Sequence, residues 1–310
     1  MTRIARFMNL VEIQYPVSGR EPARDYNRAK KFINGELFFQ NPTMLNDPFE
    51  AQPLLDTIKL LDINDEELLL IFKRVHAFAR GISLAQAETE LKKRVAAQAD
   101  VKYVDMLRHQ LPKLYFDEMR QRMSQFGVCC FVQATSHDSD SYEKLMWSLY
   151  ASGVSGIRVE FDSDELAKSL APESDDEASE KFELAVAKRE IDYVNDRPRI
   201  SAFDFFKRLG ESHTTDLQKQ TFTEFILKPH LFTKSMDWCR EKEFRIVVED
   251  AASKLVRFDL SSIKKITFGS RCDLTLRKIL IEAFSETVEL YDIGLCSESY
   301  ELKETPLKAQ

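Results

Sequence analysis

The stretch M-W-S-L-Y-A-S-G-V-S-G-I-R-V-E-F-D, residues 146–162, holds the fold class in miniature. Its first five residues close an apolar-periodic run that begins near residue 141 and predicts a helix. Ser152 and Gly153 break that run, and apolar and charged residues alternate from 156 to 162. An extended chain there puts Ile157, Val159 and Phe161 on one face and Arg158, Glu160 and Asp162 on the other. A helix feeding a half-buried strand through a short turn belongs to a mixed α and β fold.

Working outward from this unit, other short β-prone runs rich in Val, Ile and Phe follow residue 127: GVCCFV at 127–132, EIDYV at 190–194, FRIVVE at 244–249, LVRFDL at 255–260 and KKITFG at 264–269. Helical patterns fall between them at 164–170, 202–227 and 274–284, and 171–179 reads as a solvated acidic loop. Upstream, 25–34 is helix-like, ELFFQ at 36–40 is a short strand, and Pro42 and Pro48 break the segment after it. From 54 to 124 the texture is helical. Leu60, Leu61, Leu68, Leu69, Ile71 and Phe72 recur near 3.6 spacing, Gly81 separates a second run, and Pro112 breaks a third. Strands and helices without strict β-α-β spacing predict an α+β fold: one domain over 1–310, with a central, mainly antiparallel sheet and the segment 54–124 as a helical insertion or layer.

Composition narrows the class. The 310 residues are 44% hydrophobic and 31% charged, with only 9 Gly and 10 Pro, which excludes collagen-like and Pro- or Gly-rich disordered chains. Lys and Arg total 44 against 51 Asp and Glu, and a net charge of -7 argues against a nucleic-acid binder working by bulk positive charge. No apolar run approaches the ~20 residues of a membrane helix. Arg3, Arg6 and Asn9 interrupt the apolar start, so a signal peptide's core is not expected, and a soluble cytoplasmic protein without membrane partners is. The five Cys show no C-x-x-C spacing and read as buried thiols; the five His are scattered, so no metal is expected. Phosphate-cradling glycine motifs, H-E-x-x-H and G-x-S-x-G are all missing.

Three polar clusters stand out. Asn46-Asp47-Pro48-Phe49-Glu50 reads either as a turn with a side-chain cap or as a ligand-holding corner. Trp147 and Tyr150, three apart on a helix, lie side by side ahead of the strand that carries Glu160. Lys234, Trp238, Glu241, Glu243 and Arg245 form the third; if 241–249 is extended, Glu241, Glu243 and Arg245 share a face. Two carboxylates two residues apart repel unless a cation, metal or shared proton offsets them, and Arg245 can supply that charge.

These clusters, taken in order with G-E-L-F-F-Q-N-P-T-M-L-N-D-P-F-E at 35–50, C-C-F at 129–131, I-D-Y-V at 191–194, K-S-M-D-W-C-R-E-K-E-F-R at 234–245 and I-K-K-I-T-F-G at 263–269, resemble the bacterial domain-of-unknown-function family 2971. The chain departs from that family by a longer insertion at 13–22. The resemblance implies no settled activity, and three readings stay open. In the first, the chain is similar to NAD-using ADP-ribosyltransferases, which carry a basic residue or His on the first strand, an aromatic or Ser midway and a Glu opening a late strand. Arg6, Tyr150 and Glu243 occupy comparable slots; Glu243 would favour the oxocarbenium-like transition state, Glu241 would orient the acceptor, and Tyr150 or Trp147 would stack on nicotinamide. NAD would then be the substrate, with a nucleotide-type small molecule as partner. The second reading is a metal-dependent nuclease of phage defence, with Asp47, Glu50, Glu160, Asp162, Glu241 and Glu243 as a carboxylate cage. The third is a non-catalytic sensor or interaction module. One concave site is expected to collect Asn46, Asp47, Glu50, Trp147, Tyr150, Glu160, Lys234, Trp238, Glu243 and Arg245.

Overall fold

The computed structural model describes residues 2–14, 23–97, 100–134, 140–170, 186–212 and 214–307. The acidic stretch 171–179, most of the 13–22 insertion, His137 and His213 lie outside the described residues. Eight strands form the main sheet: β1 (Arg3–Met8), β2 (Gly127–Gln133), β3 (Ile157–Asp162), β4 (Val186–Glu190), β5 (Glu243–Val248), β6 (Ile263–Phe268), β7 (Glu289–Leu295) and β8 (Leu302–Pro306). Their spatial order is β8-β7-β6-β3-β1-β2-β5-β4. Within it β6 and β7 run parallel, and the other neighbouring pairs run antiparallel. The chain therefore adopts an α+β fold around a mainly antiparallel mixed sheet, accompanied by small two-stranded ribbons.

Three strand readings change. Strands β7 and β8 escape sequence analysis because β8 is the polar edge strand L-K-E-T-P, held by pairing rather than by an apolar face. The run at 255–260 contributes Lys254–Arg257 to a separate ribbon with Glu36–Phe39. The run at 190–194 splits, with Asp192–Val194 pairing in parallel to Thr233–Ser235. Residue alternation explains how the sheet is covered. Ile4, Cys129, Phe131, Val159, Phe161, Phe244, Ile246, Ile266 and Phe268 form one buried face beneath the helices Asn27–Ile33, Ser163–Leu170 and Leu274–Phe284.

The opposite face is covered in two patches. At one end Val128 and Val247 lie under a helical layer built from Asp65–Arg80, Leu111–Met123 and Ala202–Glu211, in which the Phe116, Phe205 and Phe206 rings pack edge to face and Phe72 tilts at 49° against Phe206. The segment 54–124 thus packs with helices from the second half of the chain. At the other end Ala5, Phe7 and Val132 lie under Met146 and Trp147 of the helix Asp140–Tyr150. Strand β2 runs between these patches, and its Cys130 falls in the gap. Among the described residues no helix is long and apolar enough to cross a membrane.

Gly156 sets the approach of β3 to β1. A Cβ there would stand 2.1 Å from the Met8 carbonyl oxygen, and backbone cannot give way as a side chain can. Gly156→Ala should cost about 1–3 kcal/mol in urea unfolding. The control Gly294→Ala, whose nearest atom would be the Lys303 carbonyl oxygen at 3.7 Å, should stay within about 0.5 kcal/mol of wild type.

Candidate functional site

All six residues of β5 are buried, as expected for a central strand covered on both faces, and Arg245 sits in the middle of it at 1% exposure. A guanidinium so enclosed needs carboxylate partners. Its Nε donates to Glu243 Oε1 at 2.6 Å and its Nη2 to Glu243 Oε2 at 3.1 Å. The same Nη2 binds Glu50 Oε1, across 195 residues of chain, and Nη1 donates to the Leu231 carbonyl at 2.9 Å. Lys234 Nζ continues the network, 3.2 Å from Glu243 Oε2 and 2.6 Å from Glu241 Oε2. The Tyr150 hydroxyl closes it by donating to Glu241 Oε1 at 2.6 Å. Acid and base alternate from Glu50 through Arg245, Glu243, Lys234 and Glu241 to Tyr150.

Local backbone chemistry places each member. Asp47 Oδ1 accepts the Phe49 N–H at 2.9 Å, and the Asp47 carbonyl accepts the Glu50 N–H at 3.1 Å, so the Asn-Asp-Pro turn delivers Glu50 inward. Glu241 does not lie on the strand, as an extended 241–249 would require. It ends the 3-10 turn Met236–Glu241, and Lys242, at φ 43°, takes the left-handed conformation that redirects the chain into β5. Both glutamates reach the same space by that corner rather than by strand alternation. The Glu243 N–H donates to the Tyr193 hydroxyl at 2.9 Å, a support that nothing in the sequence singled out.

The network walls a cavity of about 220 Å³, lined also by Arg6, Asn46, Cys130, Val128, Val132 and Met146. Of the ten residues expected at one site, Asn46, Glu50, Tyr150, Lys234, Glu243 and Arg245 line this cavity, joined by Arg6 and Glu241. The others do not. Asp47 holds the turn. Trp147 is buried against Phe7, with ring centroids 5.3 Å apart, and donates to Glu143 at 3.4 Å, so Tyr150 alone of the pair presents its ring to the cavity. Trp238 lies behind Lys234, whose Nζ is 4.8 Å from the ring centre. Glu160 belongs to a separate network with Arg158 at 3.0 Å and Lys265 at 3.5 Å. Asp162 accepts the Asp164 and Glu165 N–H groups at 2.9 Å as a helix cap. The six-carboxylate cage is therefore not assembled, and among the described residues no three His, Cys, Asp or Glu side chains are grouped to hold a metal ion.

Charge balance gives the site its character. Within the network three carboxylates face two cations, and Arg6 adds a third cation to the cavity wall. Burial works against the Glu243 carboxylate, but Arg245 and Lys234 outweigh it and hold its pKa at about 2. Burial likewise disfavours the Lys234 ammonium, yet Glu243, Glu50 and Glu241 raise its pKa. Burial dominates at Glu50 and pushes its carboxyl up despite Arg245. Glu50 Oε2 is also the buried side-chain oxygen that finds no hydrogen-bond partner among the described residues. Burial, then the bond to Glu241, pushes the Tyr150 phenol well up.

The two shifted glutamates act on stability in opposite senses. Glu243, depressed from 4.5 to about 2, stabilises the fold above pH ~4.5, and that contribution is lost as pH falls toward 2. Glu50, raised above 4.5, binds its proton more tightly when folded, so its contribution declines as pH rises from 4.5 through the folded pKa. Glu50→Gln removes only the second trend. Its stability relative to wild type, from denaturant unfolding at stepped pH, should climb as pH rises from about 4.5 and then level off. A difference independent of pH would contradict the raised Glu50 pKa.

Residues 146–246 match the profile of a family described as a protein of unknown function (DUF2971). That span includes Tyr150, Lys234, Glu241, Glu243 and Arg245, and leaves Arg6, Asn46, Glu50 and the motifs at 35–50 and 129–131 outside. No curated protein and no solved structure matches the chain. Across residues 146–246 the chain resembles the DUF2971 family.

Proposed function

We propose that the cavity receives the nicotinamide–ribose end of NAD and that the chain breaks the N-glycosidic bond in the manner of an ADP-ribosyltransferase. The observation that carries this reading is that Arg6 on the first strand, Tyr150 on a helix and Glu243 at the start of a late strand line one cavity. A pyridinium bound to ribose is a cation beside hydroxyls, which suits the aromatic ring of Tyr150 and the three carboxylates Glu50, Glu241 and Glu243. As the C1′–N bond breaks, its electron pair neutralises the nicotinamide ring and positive charge grows on the ribose. Glu243, ionised down to about pH 2, faces that charge already oriented by Arg245.

The acceptor role moves within the site. Both oxygens of Glu241 are engaged, one by Tyr150 and one by Lys234, whereas Glu50 Oε2 is buried with no hydrogen-bond partner among the described residues. Glu50, with its raised pKa, is the group to take the proton from the attacking hydroxyl or water.

Wild type should release nicotinamide from NAD. Glu243→Gln should slow that release ~100- to 1000-fold, the usual loss for one preorganised electrostatic contact. The same change also weakens a buried pair, which costs about 3–5 kcal/mol when broken outright, so turnover is to be read at a temperature where circular dichroism shows the variant folded. A wild type that neither binds nor consumes NAD ends the transferase reading, and a folded Glu243→Gln with intact turnover removes Glu243 from it.

A further inference from the structure

A second depression, of about 700 Å³, adjoins the cavity, and the two share Arg6, Phe7 and Gln40 as walls. Its charge balance differs from the cavity's, where Arg6, Lys234 and Arg245 face Glu50, Glu241 and Glu243. Arg6, Arg28 and Lys31 line it against the single carboxylate Glu36, in a chain whose net charge is -7. Arg28 pairs with Glu12, outside the lining. Lys31 and Arg6 have no carboxylate partner among the described residues. Arg6 is the more telling of the two. It is half-buried, bonds to the Cys129 sulfur and lies 5.8 Å from the centre of the Phe131 ring. A half-buried guanidinium without a counterion, at the junction of two cavities, is a seat for an anion.

The far wall is apolar and open. Phe38 and Leu255 are cross-strand partners in the ribbon that borders the groove, and they are 43% and 40% exposed. A flat aromatic base can lie against such a pair while a phosphate lies against the cations. Size points the same way. The 220 Å³ cavity is below the roughly 300–1,000 Å³ that encloses a drug-sized ligand, so only one end of a dinucleotide fits in it, and the groove is where the remainder can extend.

We propose that this groove is a phosphate and base subsite, in which Arg6 and Lys31 hold the phosphates of a dinucleotide and Phe38 carries its adenine. The assignment rests on the cavity being the nicotinamide–ribose site, which makes the groove's occupant the other half of the same ligand. It predicts a protein that selects phosphorylated, adenine-bearing ligands over the bare nicotinamide riboside.

The test is isothermal titration of the full chain with four probes: NAD; ADP-ribose, which lacks nicotinamide; nicotinamide riboside, which lacks phosphate and adenine; and inorganic pyrophosphate. The variants are Lys31→Glu and Phe38→Ala, both at exposed side chains outside the carboxylate network. Lys31→Glu should weaken ADP-ribose binding about tenfold or more, Phe38→Ala should weaken it to a lesser degree, and neither should alter the Kd for nicotinamide riboside. Nicotinamide riboside binding with ADP-ribose ignored, or ADP-ribose binding indifferent to both variants, overturns the subsite and leaves the cavity reading standing. ADP-ribose binding that depends on Lys31, with nicotinamide riboside and NAD both refused, supports the groove and ends the cavity reading. Pyrophosphate binding as tightly as ADP-ribose removes the base from the proposal, and no binding of any probe overturns it outright.

Discussion

Arg245 is a charge placed where water cannot reach, and it is tolerable there because Glu243 and Glu50 grip it from two sides. Removing water from three ionised groups costs several kcal/mol for each, and close fixed contacts must offset that cost. The geometry that meets this demand is restrictive. Glu243 is two residues away on the same strand face, but Glu50 comes from an N-terminal turn and arrives only if the whole sheet and its covering segments have closed. The Leu231 carbonyl, at the end of the helical layer, takes a fourth guanidinium hydrogen. One side chain thus ties together the central strand, the N-terminal turn and the helices of the second half.

Such a network is a poor way to make a protein stable. Apolar side chains of similar volume often fill the same space with equal or better stability. Here it places three carboxylates, three cations and an unbonded, buried Glu50 oxygen around one small cavity. The contrast with the second polar network on the same sheet is instructive. Arg158, Glu160, Lys265 and Glu304 bond to one another beneath the edge strand and line none of the cavities described above. Their charges are used up in holding β3, β6 and β8 together.

The two adjoining depressions differ in charge: three cations meet three carboxylates around the cavity, and three cations meet one carboxylate along the groove. Arg6 divides them, since it lines both. Low-dielectric walls keep each local field from being averaged away by the rest of the surface.

Much of this was legible in the residues themselves. Period-two alternation at 157–162 and 244–248 named the apolar faces of β3 and β5, because strand geometry leaves no other choice, but not that the charged faces are covered as well. The α+β class followed from interleaved strand and helix texture. What sequence could not decide was which polar residues meet. Glu160 and Glu243 look alike as charged positions on strands, yet one is spent on Arg158 and Lys265 and the other opens onto a cavity. Trp147 and Tyr150 look alike as helix aromatics, yet a rotation of three residues buries one under Phe7 and aims the other at Glu241. Glu241 joined Glu243 through a left-handed turn at Lys242 that no propensity announces. Alternation and periodicity are local, set by bond geometry over a few residues. The meeting of Glu50 with Arg245 is set by the closure of the sheet between them, and only the tertiary structure contains it.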